Sequence, residues 1–469
     1  MARQEARFRS RARPRRREGR HAPRPGRHAR RGMTRAMAGP SAVEAAHAES
    51  SRRYSRALLD ACCDALAAVL PLERAADASL SAYFRGHPAL GQRDRALVAD
   101  TVYAALRRRR LLERVAGATG ARRLVLAAWA VVLGANLREL EPLARGDEAG
   151  WLREIKREAH APQPFEVECE LPDWLIARLR ARYDDARLLE IARGLLAPAP
   201  LDLRVNVAKA SREQVLERLR ADGMRAEPTP YSPDGVRVAG HPAINRHPLF
   251  AEGAVEVQDE GSQIVCRLVA PRRGEMVVDF CAGAGGKTLA LGALMRSSGR
   301  LYAFDVSDAR LARLKPRLAR SGLSNVHPQR LAGENDARVK RLAGKIDRVL
   351  VDAPCTGLGT LRRNPDLKWR QTPADVEELA AKQRAILDSA ARLVKPGGRL
   401  VYATCSILDE ENRGVVEPFL ERHPEFALRP AGEALANEQV ALEADRFLGL
   451  WPHRHGTDGF FAAVLERAV

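Results

Sequence analysis

From about Arg52 the chain carries apolar residues at helical spacing. Leu58, Leu59, Cys62, Leu66 and Val69 share one helix face, and Asp94 to Leu106 repeats the pattern with Leu97, Val98, Val102, Ala105 and Leu106. Leu111–Val115 and Leu124–Leu140 add further helices, so an all-α bundle of roughly 100 residues is expected. A Pro-containing joint, Ala161-Pro-Gln-Pro164, closes it, and a short helical stretch runs to about Leu196. Leu201–Val207 then alternates like a strand. Ser211–Leu219 reads as a helix with Ser211 as its cap, Gly223 ends it, and Gly235–Val238 returns as a strand, giving a small α+β module. From Val257 strands and helices alternate. The strand candidates are Met276–Phe280, Leu301–Phe304, Asn325–Gln329, Ile346–Val351 and Arg399–Ala403, with a final pair at Arg446–Leu450 and Phe460–Leu465. Repeated βα units predict a parallel, doubly wound, Rossmann-like sheet that binds ligands at the carboxyl ends of its strands.

The most informative stretch is Met276-Val-Val-Asp-Phe-Cys-Ala-Gly-Ala-Gly-Gly-Lys-Thr-Leu-Ala290. Apolar residues lead into Asp279, a Gly-rich turn follows, and a helical pattern begins. Glycines let the backbone bend sharply and let a ligand touch the main chain, and the following helix N-terminus offers unpaired N–H groups. A lone turn of this kind is a weak signal. Gly286-Lys287-Thr288 also mimics the end of a P-loop, but that motif needs a glycine where Cys281 stands. Asp305 closes the next strand candidate, twenty residues beyond Gly285, where a ribose hydroxyl would be bound.

At 469 residues, 45% of them hydrophobic, the chain has room for several domains and a real core. The longest apolar run, near Leu124–Leu133, is too short to span a bilayer, and no secretory signal with a hydrophobic middle is seen. Residues 1–40 hold fourteen Arg against Glu5 and Glu18, so +12 of the formal +19 belongs to this arm. The remaining +7 is mildly basic and suits a polyanionic partner. Residues 1–50 lack apolar periodicity and are expected to be disordered. They read as a nucleic-acid tail, a transit-like segment, or, first among these, an extension upstream of a true start at Met33 or Met37. The four consecutive Arg at 107–110 fit either a solvated helix end or a phosphate contact. Seven cysteines, at 62, 63, 169, 266, 281, 355 and 405, form no C-x-x-C pair. A disulfide framework or metal site is not expected, and a reducing cytoplasm is.

Two cysteines end strand candidates at the ligand-binding edge. Ile346-Asp-Arg-Val-Leu-Val-Asp352-Ala-Pro-Cys355 closes on an acid and a thiol, and Leu400-Val-Tyr-Ala-Thr-Cys405-Ser on a second thiol. A lone buried cysteine is usually an inert hydrophobe, but two at one sheet edge form a far more specific pattern.

Together, Asp279–Lys287, Asp352-Ala-Pro-Cys355 and Thr404-Cys405-Ser406 resemble the motifs of the RsmB/Nop2/Sun family of S-adenosylmethionine-dependent RNA cytosine-5 methyltransferases. Val257-Gln-Asp-Glu-Gly-Ser-Gln263, Leu361-Arg-Arg-Asn-Pro-Asp-Leu-Lys-Trp369 and Thr457-Asp-Gly-Phe-Phe461 resemble its other characteristic stretches. The likeness runs from about Leu171 onward. Residues 52–145 resemble the NusB-like helical domain that precedes the catalytic part in the bacterial enzymes acting on small-subunit ribosomal RNA. Beyond the disordered Arg-rich arm at 1–50, the resemblance implies a NusB-like helical RNA-binding domain at 51–160, a small α+β RNA-binding module at 165–256, and a Rossmann-like methyltransferase domain at 257–469.

It also implies the chemistry. C5 of cytosine is a poor nucleophile until a thiolate adds to C6, and Cys suits this because its thiolate is accessible near neutral pH and is a good leaving group. By resemblance Cys405 is the nucleophile, Cys355 assists release, and Asp352 holds the base edge beside the cofactor. The backbone of Cys281, Ala282, Gly283, Ala284, Gly285, Gly286 and Lys287 would cradle S-adenosyl-L-methionine, with Asp305 at its ribose. Asp336 would lie near the adenine, with Glu334 as the alternative. Cys281 is expected to be structural, and Cys62, Cys63, Cys169 and Cys266 to be core residues. DNA cytosine-5 methyltransferases use the Pro-Cys thiol instead, which would make Cys355 the nucleophile. The partner implied is 16S ribosomal RNA, unassembled or partly unfolded, and the enzyme is expected to be a cytoplasmic monomer without metal or membrane attachment. The helical bundle and Arg362-Arg363 would supply phosphate contacts. A transfer-RNA methyltransferase of the same family and a non-catalytic ribosome-assembly factor are the alternatives.

Overall fold

The computed structural model describes residues 54–117, 120–240 and 242–469, so the expectations for residues 1–50 lie outside it. Helices begin at Arg56–Val69, where the Ser55 hydroxyl accepts from the Leu58 N–H. They continue through Ala76–Gly86, Gln92–Arg107, Arg109–Ala116, Ala121–Ala127 and Leu137–Leu140 to Glu148–Ala159. The expected apolar faces do pack inward: Leu59, Cys62, Leu66, Val98, Val102 and Leu106 are buried together around Trp129. The Trp129 indole N–H donates to Thr101 Oγ1 at 2.8 Å. Leu124–Leu140 is not one helix. It passes through a π-turn at Ala128–Val132 and breaks where Gly134 takes φ +72°. No single helix among the described residues is long and apolar enough to cross a membrane.

The small module is a four-stranded antiparallel sheet of β1 (Leu201–Val205), β2 (Ala226–Pro228), β3 (Gly235–Val238) and β4 (Val255–Val257), in the order β2-β3-β1-β4. Its helix, Arg212–Ala221, starts on Ser211 as expected, in a reciprocal cap with Gln214. The strands β2 and β4 were not legible in the sequence, and β4 carries the small sheet one residue past the expected boundary at 256.

The larger sheet contains β5 (Met276–Asp279), β6 (Arg300–Asp305), β7 (Val326–Arg330), β8 (Ile346–Asp352), β9 (Val394–Thr404), β10 (Phe426–Arg429), β11 (Leu448–Leu450) and β12 (Phe460–Arg467). The order is β10-β12-β9-β8-β5-β6-β7, with β11 also paired to β12. β5 to β9 are mutually parallel, but β12 is antiparallel to β9, β10 and β11. The expectation of a wholly parallel sheet is therefore corrected to a mixed one. Alternation along each strand feeds two cores: Val277, Leu350 and Val401 face one side, Val278, Val349, Val351 and Tyr402 the other. The order reverses between β5 and its neighbours β6 and β8, and such a switch point opens a crevice at the carboxyl ends of the strands.

The stretch Leu361–Trp369 joins this sheet to the helical bundle. Trp369 Nε1 donates to Leu106 O at 2.7 Å, Lys368 Nζ to Arg107 O at 3.0 Å, and Ala76 N to the Asp366 carboxylate at 3.2 Å. The four Arg at 107–110 face this joint. Arg107 donates to Arg362 O at 3.0 Å, Arg108 lies 3.7 Å from Glu170, Arg109 pairs with Glu113 at 2.7 Å, and Arg110 with Asp173 at 2.5 Å. Arg362 and Arg363 differ from expectation as well. Arg362 is only 4% exposed, with its guanidinium on Asp458 at 3.0 Å and on Gly456 O at 3.2 Å. Arg363 bridges Asp458 at 2.7 Å and Asp259 at 2.9 Å. Both are spent on internal carboxylates, so neither stands as a free phosphate ligand.

Candidate active site

β5 delivers the Gly-rich loop to the crevice. Gly283 and Gly285 take φ +56° and +84°, a region that glycine enters without strain. A Cβ on Gly285 would lie 2.1 Å from Leu314, so close packing requires glycine there. At Gly283 a Cβ would meet nothing, because that position faces open space. The Asp305 carboxylate, at the end of β6, accepts from the Gly283 N–H at 2.9 Å and from the Ser307 N–H at 2.7 Å. The acid thus holds the loop in shape while bordering the same space.

That space is a cleft of about 740 Å³. Its lining includes Cys281, Ala282, Gly283, Ala284, Gly286, Lys287, Asp305, Glu334, Asp352 and Pro354. Gly285 lies behind the loop. Asp336 does not reach the cleft and is corrected: it caps the short helix Ala337–Arg341, accepting from the Arg338 N–H at 2.8 Å and the Ala332 N–H at 2.9 Å. Glu334, the alternative, does line the cleft.

Two polar groups, one in the cleft wall and one beneath the loop, were not singled out by their side chains in the sequence. Lys287 Nζ pairs with the Asp352 carboxylate at 2.7 Å and lies 5.2 Å from the centre of the Phe460 ring. Burial works against its charge, but Asp352 outweighs this and holds the ammonium above the usual lysine range. Asp279 is buried beneath the loop, where one oxygen accepts from Thr288 Oγ1 at 2.7 Å and the other has no partner. Burial pushes its carboxyl up to about 7.

The two expected thiols meet beyond Asp352. β8 and β9 are parallel neighbours with Asp352 paired to Ala403, so the segments leaving their ends run side by side. Cys355 Sγ and Cys405 Sγ are 3.4 Å apart, both partly exposed. The hydrogen bond to Cys405 and burial hold the Cys355 thiol well above the usual range, and the neighbouring Glu411 adds to this. The Cys405 carbonyl accepts from the Gly359 N–H at 2.8 Å. Neither sulfur belongs to the cleft wall itself, which ends at Asp352 and Pro354. Cys62, Cys169 and Cys266 are buried as expected, whereas Cys63 is half-buried and Cys281 borders the cleft. Among the described residues no His, Cys, Asp and Glu side chains cluster as a metal site would require.

The family model for 16S rRNA methyltransferase RsmB/F matches residues 266–466, and that for the RsmF/B-like ferredoxin-like domain matches residues 171–245. A curated relative from Bacillus subtilis, a probable ribosomal RNA small subunit methyltransferase B, is 34% identical over 331 residues, covering 68% of this chain and 73% of its own. The crystal structure of PH0851 superposes with a TM-score of 0.70 at 29% identity, covering 88% of this chain and 99% of that one. NSun6 from Pyrococcus horikoshii, solved with SFG, shares the fold at a TM-score of 0.56 and 22% identity, covering 64% of this chain and 98% of its own. Sheet order, cleft and family match agree: the chain belongs to the RsmB/F family of S-adenosylmethionine-dependent 16S rRNA methyltransferases.

Proposed function

We propose that this chain methylates C5 of a cytosine in 16S ribosomal RNA through a transient bond between Cys405 and C6 of the base. The observation that carries the reading is the meeting of Cys355 and Cys405, 3.4 Å apart at the ends of adjacent strands beside Asp352. Attack by the Cys405 thiolate on C6 forms a C–S bond and leaves C5 electron-rich. Asp352, paired with Lys287, would hold the base edge, where charge develops as the bond forms. When bound, S-adenosylmethionine supplies an electrophilic methyl group for C5. Once a solvent base has taken the C5 proton, the C5–H electron pair re-forms the C5=C6 double bond, and the C–S bond breaks with its electron pair returning to the Cys405 sulfur. Cys355, kept in its protonated form by its surroundings, is placed to give that sulfur a proton. The alternative, Cys355 as nucleophile, is separated from this one by substituting each thiol in turn.

The cleft fits the methyl donor on its own chemistry. The Cys281–Lys287 backbone faces open space at Gly283, so a ligand can approach the main chain. Asp305 would meet the ribose, and Glu334 the adenine. The bundle at 54–159 is read as the NusB-like RNA-binding domain, the sheet at 201–257 as a second RNA-binding module, and the whole as a cytoplasmic monomer. Because the target base must be unstacked to reach a thiol, unassembled or partly unfolded rRNA is the fitting substrate. Bisulfite sequencing of ribosomal and transfer RNA, with and without the gene, tests this. One 16S cytosine should lose its methyl group. Loss confined to a transfer RNA, or no loss, would overturn the reading.

A further inference from the structure

Behind the two thiol segments lies a carboxylate that the scheme above does not use. Glu411 sits in the 3-10 turn Asp409–Glu411 and is fully buried. One of its oxygens accepts from the Thr356 N–H at 2.8 Å and from Gln383 Nε2 at 3.0 Å. The other accepts from Thr356 Oγ1 at 2.6 Å and from the Ser406 hydroxyl. Thr356 follows Cys355 and Ser406 follows Cys405. Gln383 also donates to Pro354 O at 2.9 Å, on the other side of Cys355. The Tyr402 hydroxyl donates to the Glu411 carbonyl at 2.6 Å, which anchors the turn to β9.

Burying a carboxylate is costly unless donors surround it, and here four donors do so, with no cation among its hydrogen-bond partners. A carboxylate is also the one side chain that accepts on both oxygens and donates from neither. A glutamine of the same shape would turn an NH2 group toward the Thr356 and Ser406 hydroxyls or toward the Thr356 N–H and Gln383 amide. The buried Thr356 N–H needs an acceptor in any case, but a neutral one would serve fold maintenance without desolvating a charge. What the carboxylate uniquely supplies is a rigid tie between the residues that follow each thiol.

We propose that Glu411 is a positioning residue that fixes the Cys355–Cys405 separation and thereby sets the rate at which the RNA adduct is released. This rests on the covalent scheme proposed above. Sulfur-to-sulfur proton transfer is steep in distance, so loosening the tie affects release more than attack, which needs Cys405 alone.

The test uses the full chain and its Glu411→Gln, Thr356→Val and Thr356→Ser variants, each checked for an unchanged melting profile. With 5-fluorocytosine RNA, which cannot lose its C5 substituent as a proton, wild type and Glu411→Gln should both be captured. With ordinary cytosine RNA, Glu411→Gln should release methylated product about tenfold more slowly and accumulate adduct, with the KM for S-adenosylmethionine unchanged. Thr356→Val should shift the same way, and Thr356→Ser, which keeps the hydroxyl, should behave as wild type. If Glu411→Gln does not fold, the Thr356 pair decides the matter. Release at the wild-type rate, or attack and release slowed equally without accumulation, would overturn the role of Glu411. Failure of the unaltered chain to capture 5-fluorocytosine RNA would overturn the covalent scheme, and this proposal with it.

Discussion

The sulfur of Cys355 lies 3.4 Å from that of Cys405, although fifty residues separate them in sequence. Each thiol sits just past the carboxyl end of its strand, and the parallel pairing of β8 with β9 aligns those ends. The hydrogen bond to Cys405 and burial raise the Cys355 thiol above its ordinary range, and the two sulfurs are close enough to exchange a proton.

Substituting each thiol should therefore give different failures. Cys405→Ala is expected to abolish covalent capture of 5-fluorocytosine RNA, and Cys355→Ala to leave a stalled protein–RNA adduct on ordinary RNA. Denaturing gel electrophoresis reads both. Adduct formation by Cys405→Ala would transfer the nucleophile to Cys355.

Arg362→Glu should act on stability, not on RNA affinity. Its guanidinium is buried against Asp458, with Asp259 3.7 Å away, so reversal would press three carboxylates together. The expected loss is about 3–5 kcal/mol of unfolding free energy, seen as a lower denaturant midpoint. The salt dependence of RNA binding by the remaining folded protein should not change. A flatter salt slope at unaltered stability would return this residue to the RNA path.

Gly359→Ala should damage turnover while sparing the cofactor site. An added Cβ would lie 2.3 Å from Gly459 O and 2.8 Å from Cys405 O, so the backbone carrying the nucleophile must shift. A displacement of that kind is expected to slow turnover by roughly 10²-fold. Calorimetric titration with S-adenosylmethionine should give the wild-type affinity, because residue 359 lies outside the cleft lining.

Asp279 gives the chain a pH-dependent stability. Its carboxyl is raised by burial to about 7 in the fold, from an ordinary value of 3.8. The fold therefore holds this proton more tightly than the unfolded chain does. The resulting stabilisation is fully present below about pH 4 and is lost as pH rises through about 7. Asp279→Asn, which keeps an acceptor for Thr288, should remove that loss. The melting temperature of the variant relative to wild type should rise between pH 5 and pH 8. A constant difference would place the proton elsewhere.

What could be read from the sequence was what neighbouring residues decide. The Gly-rich loop, Asp305 and the two thiols each sit at or just past a strand end marked by a local apolar run. What escaped depended on distant partners. The strand β10 is short and amphipathic, and only its pairing with β12 defines it. The reversed direction of β12 likewise comes from the sheet and not from its own residues. Asp336 was misplaced because an acidic residue before a helix is also an ordinary cap, and here the cap prevailed. Arg362 read as basic surface because nothing local revealed Asp458, almost a hundred positions away. Glu411, between Glu410 and Asn412, has no local pattern that marks it. Only the fold brings both thiol segments onto it.

The Leu361–Trp369 joint has a bearing on how such proteins can be recombined. Lys368 is buried where the helical bundle meets the catalytic sheet, and its ammonium is given to the carbonyl of Arg107. A chimera cut at the Pro-containing joint at 161–164 and fitted with a foreign bundle would leave that Lys368 amine without its acceptor wherever the foreign helix ended at a different place. Grafts are thus expected to succeed only when donor and host match at this joint, and the two halves of the enzyme should be inherited as a pair.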